Sequence, residues 1–225
     1  MCFSPEADLV AGAVISAIGV DCLRHVRHSR EIPLASLPLL LGVHQLVECL
    51  VWWNARGRLA PGLGHVAMWA YLIFAFCVMP ILIPAGVIGI EPTRRKRWLM
   101  SPFLAVGAAI AGVLAYDMAT GPVSVHEMPF HLAYRADIGS SSLIVSLYVL
   151  VTCAPLLLSG YRHVAVFGTV NLVAAAFLAY AINSGFTSIW CAWAAVASAA
   201  IAVHLRLAKH HREKVRAILV PGTAG

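Results

Sequence analysis

The sequence predicts an all-α protein, a bundle of seven transmembrane helices with its N-terminus outside the cell and its C-terminus in the cytoplasm. Of the 225 residues, 60% are apolar and only 12% are charged, and the mean hydropathy of +0.83 lies outside the range of soluble domains. The apolar residues form runs long enough to cross a bilayer. The basic residues, which give a net charge of +6, lie in short clusters between those runs. This pattern indicates membrane topology and no nucleic-acid partner.

The chain is predicted to form a single membrane domain, in which each apolar run is one membrane-spanning segment. Small residues in the first run, such as Gly12 and Gly19, allow another helix to approach closely. Pro33 begins the second run, where proline suits the first turn of a helix, and Pro80 and Pro84 are expected to kink the third run. The predicted spans cover residues 8–26, 33–53, 65–90, 98–119, 142–158, 164–182 and 186–205, and a basic cytoplasmic tail covers residues 206–225.

The distribution of Lys and Arg between alternate connections predicts the orientation. Thirteen of the 16 lie after the first, third and fifth spans and in the tail, whereas three lie in the connections on the other side. Because cytoplasmic connections are enriched in these residues, the N-terminus is placed outside. The expected location is a cell membrane, and the scarcity of lysine beside arginine favours a bacterial plasma membrane.

The connection between the fourth and fifth spans is the longest, and it concentrates polar residues that include His126, His131 and Asp137. Connections of more than about 15 residues without secondary structure are uncommon and are usually functional. We therefore expect a functional loop or a re-entrant segment here. The two histidines, five residues apart in a loop, are more often surface groups than metal ligands.

The second span carries His44, Gln45 and Glu48 within an otherwise apolar stretch. An ionisable group inside a membrane span is costly, so Glu48 is a functional-site hypothesis by default. Helical spacing places His44, Glu48 and Trp52 on one face, with Gln45 beside it. The alternative is that hydrogen bonds from Gln45, Asn171 or a tyrosine hold Glu48, which then only ties helices together.

Position along the spans predicts that the reactive groups converge on the extracytoplasmic side. Carboxylate, imidazole and thiolate are the ligands that zinc and related ions prefer, so a transition metal ion is the cofactor that this set would hold. Cys2 and Cys191 are alternatively expected to form a disulfide in an oxidising compartment. The candidate metal ligands are Glu48, His131, Cys2 and Cys191, and the candidate ligand-binding residues are His44, Gln45, Glu48, His131, Asp137 and Asn171.

Several classes are excluded by what the sequence lacks. The six cysteines show no CxxC pair or zinc-finger spacing, and no HExxH or nucleotide-binding motif is present. All three lysines fall in predicted cytoplasmic segments, so no lysine is available for a retinal Schiff base. The protein is therefore predicted not to be a rhodopsin.

Four segments together carry a resemblance: the opening MCFS, LLLGVHQLVECLVWW in the second span, HLAY at 131–134 and FTSIWC at 186–191. The chain resembles an uncharacterised bacterial family of small multi-pass membrane proteins that begin Met-Cys-Phe-Ser. The resemblance extends over nearly the whole chain. It implies the fold and the membrane location but supplies no activity.

The predicted function is the binding or sensing of a small ligand or metal ion in a polar pocket open to the extracytoplasmic side. Two alternatives remain at this stage. One is a membrane-embedded hydrolase or redox enzyme acting on lipid, with Glu48 as acid or base and His131 as its partner. The other is a structural or accessory subunit of a membrane complex. Besides the lipid bilayer, a second copy of the chain or a membrane-complex subunit is left open as a partner.

Overall fold

The computed structural model describes residues 4–128, 131–136, 142–181 and 196–203, which are mostly helical. The helix α2 is central, because α1, α3 and α4 all pack against it, and α4 also packs on α5 and α6. A short 3₁₀ turn, Ser29–Glu31, leads into α2, and residues 196–203 form a further helical segment. The helices are α1 (Pro5–Arg24), α2 (Ile32–Ala55), α3 (Pro61–Ile73), α4 (Met79–Ile90), α5 (Arg94–Thr120), α6 (Ser142–Leu158) and α7 (Arg162–Ala181).

Three helices are long and apolar enough to cross a membrane within the described part of the chain: Ser29–Ala55, Gly62–Ile90 and Arg94–Thr120. A shorter apolar helix covers Leu143–Leu158. Helices lie over six of the seven predicted spans, and the seventh falls largely on residues outside the described ranges. The helical class is thus confirmed, whereas seven crossings and the orientation of the termini stay predictions.

Helices α1 and α2 lie against each other along a line of small residues. A Cβ added to Gly19 would overlap the backbone N of Leu39, and one added to Gly12 would lie 2.8 Å from the side chain of Leu46. Position 12 therefore faces position 46 and position 19 faces position 39, which makes the two helices antiparallel. This is the close approach that the small residues of the first run predict.

The third apolar run is interrupted by a wide helical turn, Phe74–Val78, between α3 and α4. In this π-helical turn the N–H of Met79 bonds to the carbonyl five residues back. In the same pattern the carbonyl of Ala75 would accept a hydrogen bond from the N–H of residue 80, but Pro80 has no N–H. The hydroxyl of Tyr148 in α6 donates to Ala75 instead, at 2.6 Å. The predicted distortion by proline is therefore present as a wide turn that a neighbouring helix completes.

The long connection after α5 contains two strands, β1 (Val123–Met128) and β2 (His131–Ala136), in an antiparallel hairpin. These residues therefore form regular strands and not an unstructured loop, and a functional role for the connection stays a prediction. Alternation is consistent with the strands: Val125, Leu132 and Tyr134 share the face that packs on the helices, whereas Ser124 and His126 lie on the other face. The histidines predicted to lie in a loop are strand residues, His126 opposite Ala133 and His131 opposite Met128.

One face of the hairpin covers the ends of α2, α3 and α5. Leu132 is fully buried and packs with Val51 and Trp52 of α2 and with Ala67 of α3. An ion pair fixes the edge: Arg56 Nε lies 3.1 Å from Glu127 Oε1, and the guanidinium lies 5.2 Å from the centre of the Trp52 ring. We call this the hairpin end of the bundle.

At the opposite end, the carboxylate of Glu91 joins two connections. Glu91 is buried and accepts the backbone N–H of Gly160 at 2.6 Å and that of Thr93 at 3.3 Å. It therefore holds the turn between α4 and α5 against the turn between α6 and α7. The main apolar core lies between this carboxylate and the hairpin end, around residues such as Leu34, Val87 and Met100.

Candidate functional site

The polar residues of α2 lie where the helix faces its neighbours. Glu48 is 0% exposed and Gln45 is 1% exposed, although both sit in a helix of otherwise apolar character. His44 lies one turn before Glu48 and Trp52 one turn after it, so the three share a face. Glu48 is therefore enclosed by the bundle, about one helical turn below the hairpin.

A second buried acid, Asp8 of α1, is also 0% exposed. It precedes Gly12 by one turn, and since position 12 faces position 46 in the antiparallel pair, position 8 faces the turn of α2 that holds Glu48 and Cys49. The carboxylate of Asp8 is close enough to act electrostatically on the thiol of Cys49. Asp8 thus belongs to the contact between α1 and α2, whereas Glu48, at a similar depth, lies on the face of α2 whose His44 and Trp52 pack against α3.

Asp8 was not among the predicted site residues, although its position in the sequence carries a signal. Asp8, Gly12 and Ser16 repeat every four residues and so lie on one face of α1. Small residues on a face mark a helix contact. An acid in line with them is therefore expected to be buried in that contact rather than to end the helix at the membrane surface.

A stack of four rings connects the hairpin to the interior beside Glu48. Tyr134 of β2 stacks on Tyr71 of α3, with ring centres 4.5 Å apart and planes at 7°. Tyr71 stacks in turn on His44, at 4.1 Å and 17°, and His44 contacts the tilted ring of Phe74 at 4.7 Å. The stack holds the imidazole of His44 in place, one helical turn from the carboxyl group of Glu48.

Two buried nitrogen atoms beside Glu48 have no hydrogen-bond partner among the described residues: Nδ1 of His44 and Nε1 of Trp52. The indole nitrogen can only donate, whereas the neutral imidazole nitrogen can donate or accept. Buried polar atoms in native proteins are usually satisfied by protein or by ordered water. These two atoms lie one turn before and one turn after Glu48. A bound polar species could supply the hydrogen bonds that they lack.

Exposed charged residues surround the start of α1 at the hairpin end. Glu6 is fully exposed, and backbone hydrogen bonding at the helix start, helped by the Ser4 side chain and by Arg56 and Arg58, lowers its pKa. The two arginines belong to the connection after α2, so the start of α1 and that connection lie at the same end. Asp8, two residues after Glu6, is the buried acid next to this charged end.

The remaining predicted site residues lie elsewhere or outside the described ranges. Asn171 of α7 donates to the Sγ of Cys153 in α6 at 3.3 Å, far along the bundle from the hairpin end. Cys2, Asp137 and Cys191 fall outside the described residues. No group of three potential metal ligands is found among the residues described, so a metal site that includes Cys2 and Cys191 stays a prediction.

The buried acids support one kind of chemistry. In their ionised form, carboxyl groups held away from water attract a positive charge far more strongly than exposed ones do. A neutral imidazole and an amide, His44 and Gln45, lie within one turn of Glu48 and offer further oxygen or nitrogen donors. The arrangement is suited to holding a small cation.

A largely helical chain with three helices able to cross a membrane and buried acids among them is compatible with a membrane protein of unknown activity. The chain belongs to the family of unknown function DUF6629, whose model matches residues 1–217. This agrees with a resemblance over nearly the whole chain. No curated protein and no solved structure matches the chain.

Proposed function

We propose that this protein is a multi-pass protein of the bacterial plasma membrane that binds a small cation at Asp8 and Glu48, beneath the hairpin. The observation that carries the proposal is a pair of carboxyl groups, each 0% exposed, at a similar depth on the neighbouring helices α1 and α2. Each buried charge in a membrane span costs several kcal/mol, about 2.5–3.5 on insertion scales. A protein that needed only a helix contact could use the Gly and Ser residues already present there.

The topology belongs to the same proposal. Seven spans with the N-terminus outside place the hairpin end, Asp8 and Glu48 on the extracytoplasmic side, and the basic connection at residues 94–97 on the cytoplasmic side. Single cysteines introduced at Ser124 and at Arg95 in a cysteine-free variant test this in intact cells. A membrane-impermeant maleimide is expected to label position 124 and not position 95. Labelling at position 95 alone would reverse the orientation.

The cation is either a metal ion or a small organic ammonium, since the shared chemistry is positive charge against two carboxylates. Purified full-length protein should therefore be analysed for metal content and titrated with Zn²⁺, Mn²⁺, tetramethylammonium and guanidinium while thermal unfolding is followed. At 100-fold excess over Kd, a bound cation adds about 2.7 kcal/mol of stability. For a chain of this size that corresponds to a rise in Tm of about 5–10 °C.

Three variants separate cation binding from a structural role. Glu48→Gln and Asp8→Asn keep the size and much of the hydrogen bonding but remove one charge each, so both should lose the cation-dependent rise in Tm. Asp21→Asn is the matched control, because Asp21 lies in the same helix and pairs with His25 at the opposite end. It should keep the full response.

The proposal fails if no metal copurifies and none of the four probe cations changes Tm. It also fails if Glu48→Gln and Asp8→Asn lower Tm equally with and without cation, because the two acids would then only tie α1 to α2. A response lost equally in Asp21→Asn would show that general surface charge, and not this site, attracts the cation.

A further inference from the structure

A cavity of about 410 Å³ lies in the half of the bundle away from the hairpin. Its walls come from the first turns of α2, the first half of α4, the end of α6, the first half of α7 and the helical segment 196–203. Leu37, Ile83 and Leu156 are typical of the lining, which is apolar except for His163 and Asn171. A volume of this size falls in the range of about 300–1,000 Å³ that ligand pockets occupy.

One edge of the cavity, at the start of α7, carries basic residues. His163, an exposed lining residue in the first turn of α7, follows the exposed Arg162. Glu91 holds this turn against the start of α5, because its carboxylate binds the N–H groups of both Gly160 and Thr93. The exposed residues that directly follow Thr93 begin the basic run at 94–97. Positive charge from two connections is thus gathered beside the entrance to an apolar chamber.

We propose that this cavity binds an anionic phospholipid, with one hydrocarbon chain inside it and the phosphate at Arg162, His163 and the basic start of α5. The amphipathic match is the argument: an apolar interior fits a hydrocarbon chain, and a cationic rim fits a phosphate. Basic pockets between membrane helices are the sites at which proteins bind the head groups of anionic lipids. Small residues in the 196–203 segment, such as Ala197 and Ala200, leave the space in which the hydrocarbon chain of the lipid would lie.

The test uses full-length protein in a neutral detergent, with thermal unfolding measured against added phosphatidylglycerol, phosphatidylcholine or inorganic phosphate. Phosphatidylglycerol is expected to raise Tm by about 5–10 °C at roughly 100-fold excess over Kd. Phosphatidylcholine should give a much smaller rise and inorganic phosphate none. Phospholipid extracted from the purified protein should be anionic and close to one molecule per chain.

Two kinds of variant divide the site into its parts. Ala200→Phe fills the cavity and should abolish the response to phosphatidylglycerol, with Ala197→Leu as a milder filler if the first variant does not fold. The matched control is Val173→Phe, which adds the same ring on an exposed position of α7 outside the lining and should respond as the wild type does. Arg162→Ala with His163→Ala should remove the preference for phosphatidylglycerol over phosphatidylcholine.

Three results would overturn the proposal. Equal responses to both lipids in the wild type would remove the role of the basic rim. An unchanged response in both Ala200→Phe and Ala197→Leu would place the lipid outside the cavity. A dimer of the wild type that light scattering shows to be lost in Ala200→Phe would assign the cavity to a second copy of the chain.

Discussion

Replacing Tyr148 by Phe tests whether the wide turn between α3 and α4 depends on a hydroxyl from α6. The change removes only the donor of the 2.6 Å hydrogen bond to the carbonyl of Ala75. No backbone group can replace it, because the residue assigned to that carbonyl is Pro80. An orphaned buried carbonyl costs about 1–3 kcal/mol, and hydrogen bonds between membrane helices average about 0.6 kcal/mol. We therefore expect a loss of about 1–2 kcal/mol.

The assay is reversible unfolding in mixed micelles, followed by circular dichroism as the denaturing detergent is increased. Tyr116→Phe is the matched control, because Tyr116 is 69% exposed on α5, and its change in unfolding free energy should stay within about 0.5 kcal/mol. The decisive comparison is made in Pro80→Ala, where a backbone N–H becomes available for Ala75. If Tyr148→Phe costs as much in that background as in the wild type, the account of the wide turn is wrong.

Three further predictions concern the two ends of the bundle and the contact between α1 and α2. Glu91→Ala removes the acceptor of two backbone N–H groups and should lower stability by about 2–3 kcal/mol, with faster proteolysis at the turn between α6 and α7. Gly19→Leu should separate α1 from α2 and lower Tm sharply, whereas Gly112→Leu, with open space around its Cα, should change Tm little. Arg56→Ala and Glu127→Ala should each cost about 0.2–1 kcal/mol, because their ion pair is partly exposed, and the cost should shrink in high salt.

Hydropathy and helical spacing predicted most of the helical fold from local information. The burial of Glu48 was also expected from its position, because a carboxyl inside an apolar helix must be enclosed or reach water. The spacing of Asp8, Gly12 and Ser16 indicates that Asp8 faces another helix, but the turn of α2 that it meets depends on the register between α1 and α2. That register is a property of the packed pair and is not encoded in the spacing of either helix alone.

The hairpin and the wide turn were harder to predict for different reasons. Each strand is only six residues long, and its alternation is weak in a segment where the mean hydropathy is low. The prolines at positions 80 and 84 predicted a distortion, but its form depends on Tyr148, which follows Pro80 by 68 residues. The prolines therefore show where the helix is distorted, whereas the form of the distortion depends on the hydrogen bond from the distant Tyr148.

The last ring of the stack, Phe74, is also the first residue of the wide turn. Moving the extra residue of that turn toward the N-terminus would rotate Phe74 by about 100°, the angle between successive residues of a helix, and take its ring away from His44. The packing of the hairpin and the winding of the third apolar run therefore share one set of aromatic contacts. A change in the winding of this helix is therefore expected to change the near-ultraviolet circular dichroism of Tyr71 and Tyr134.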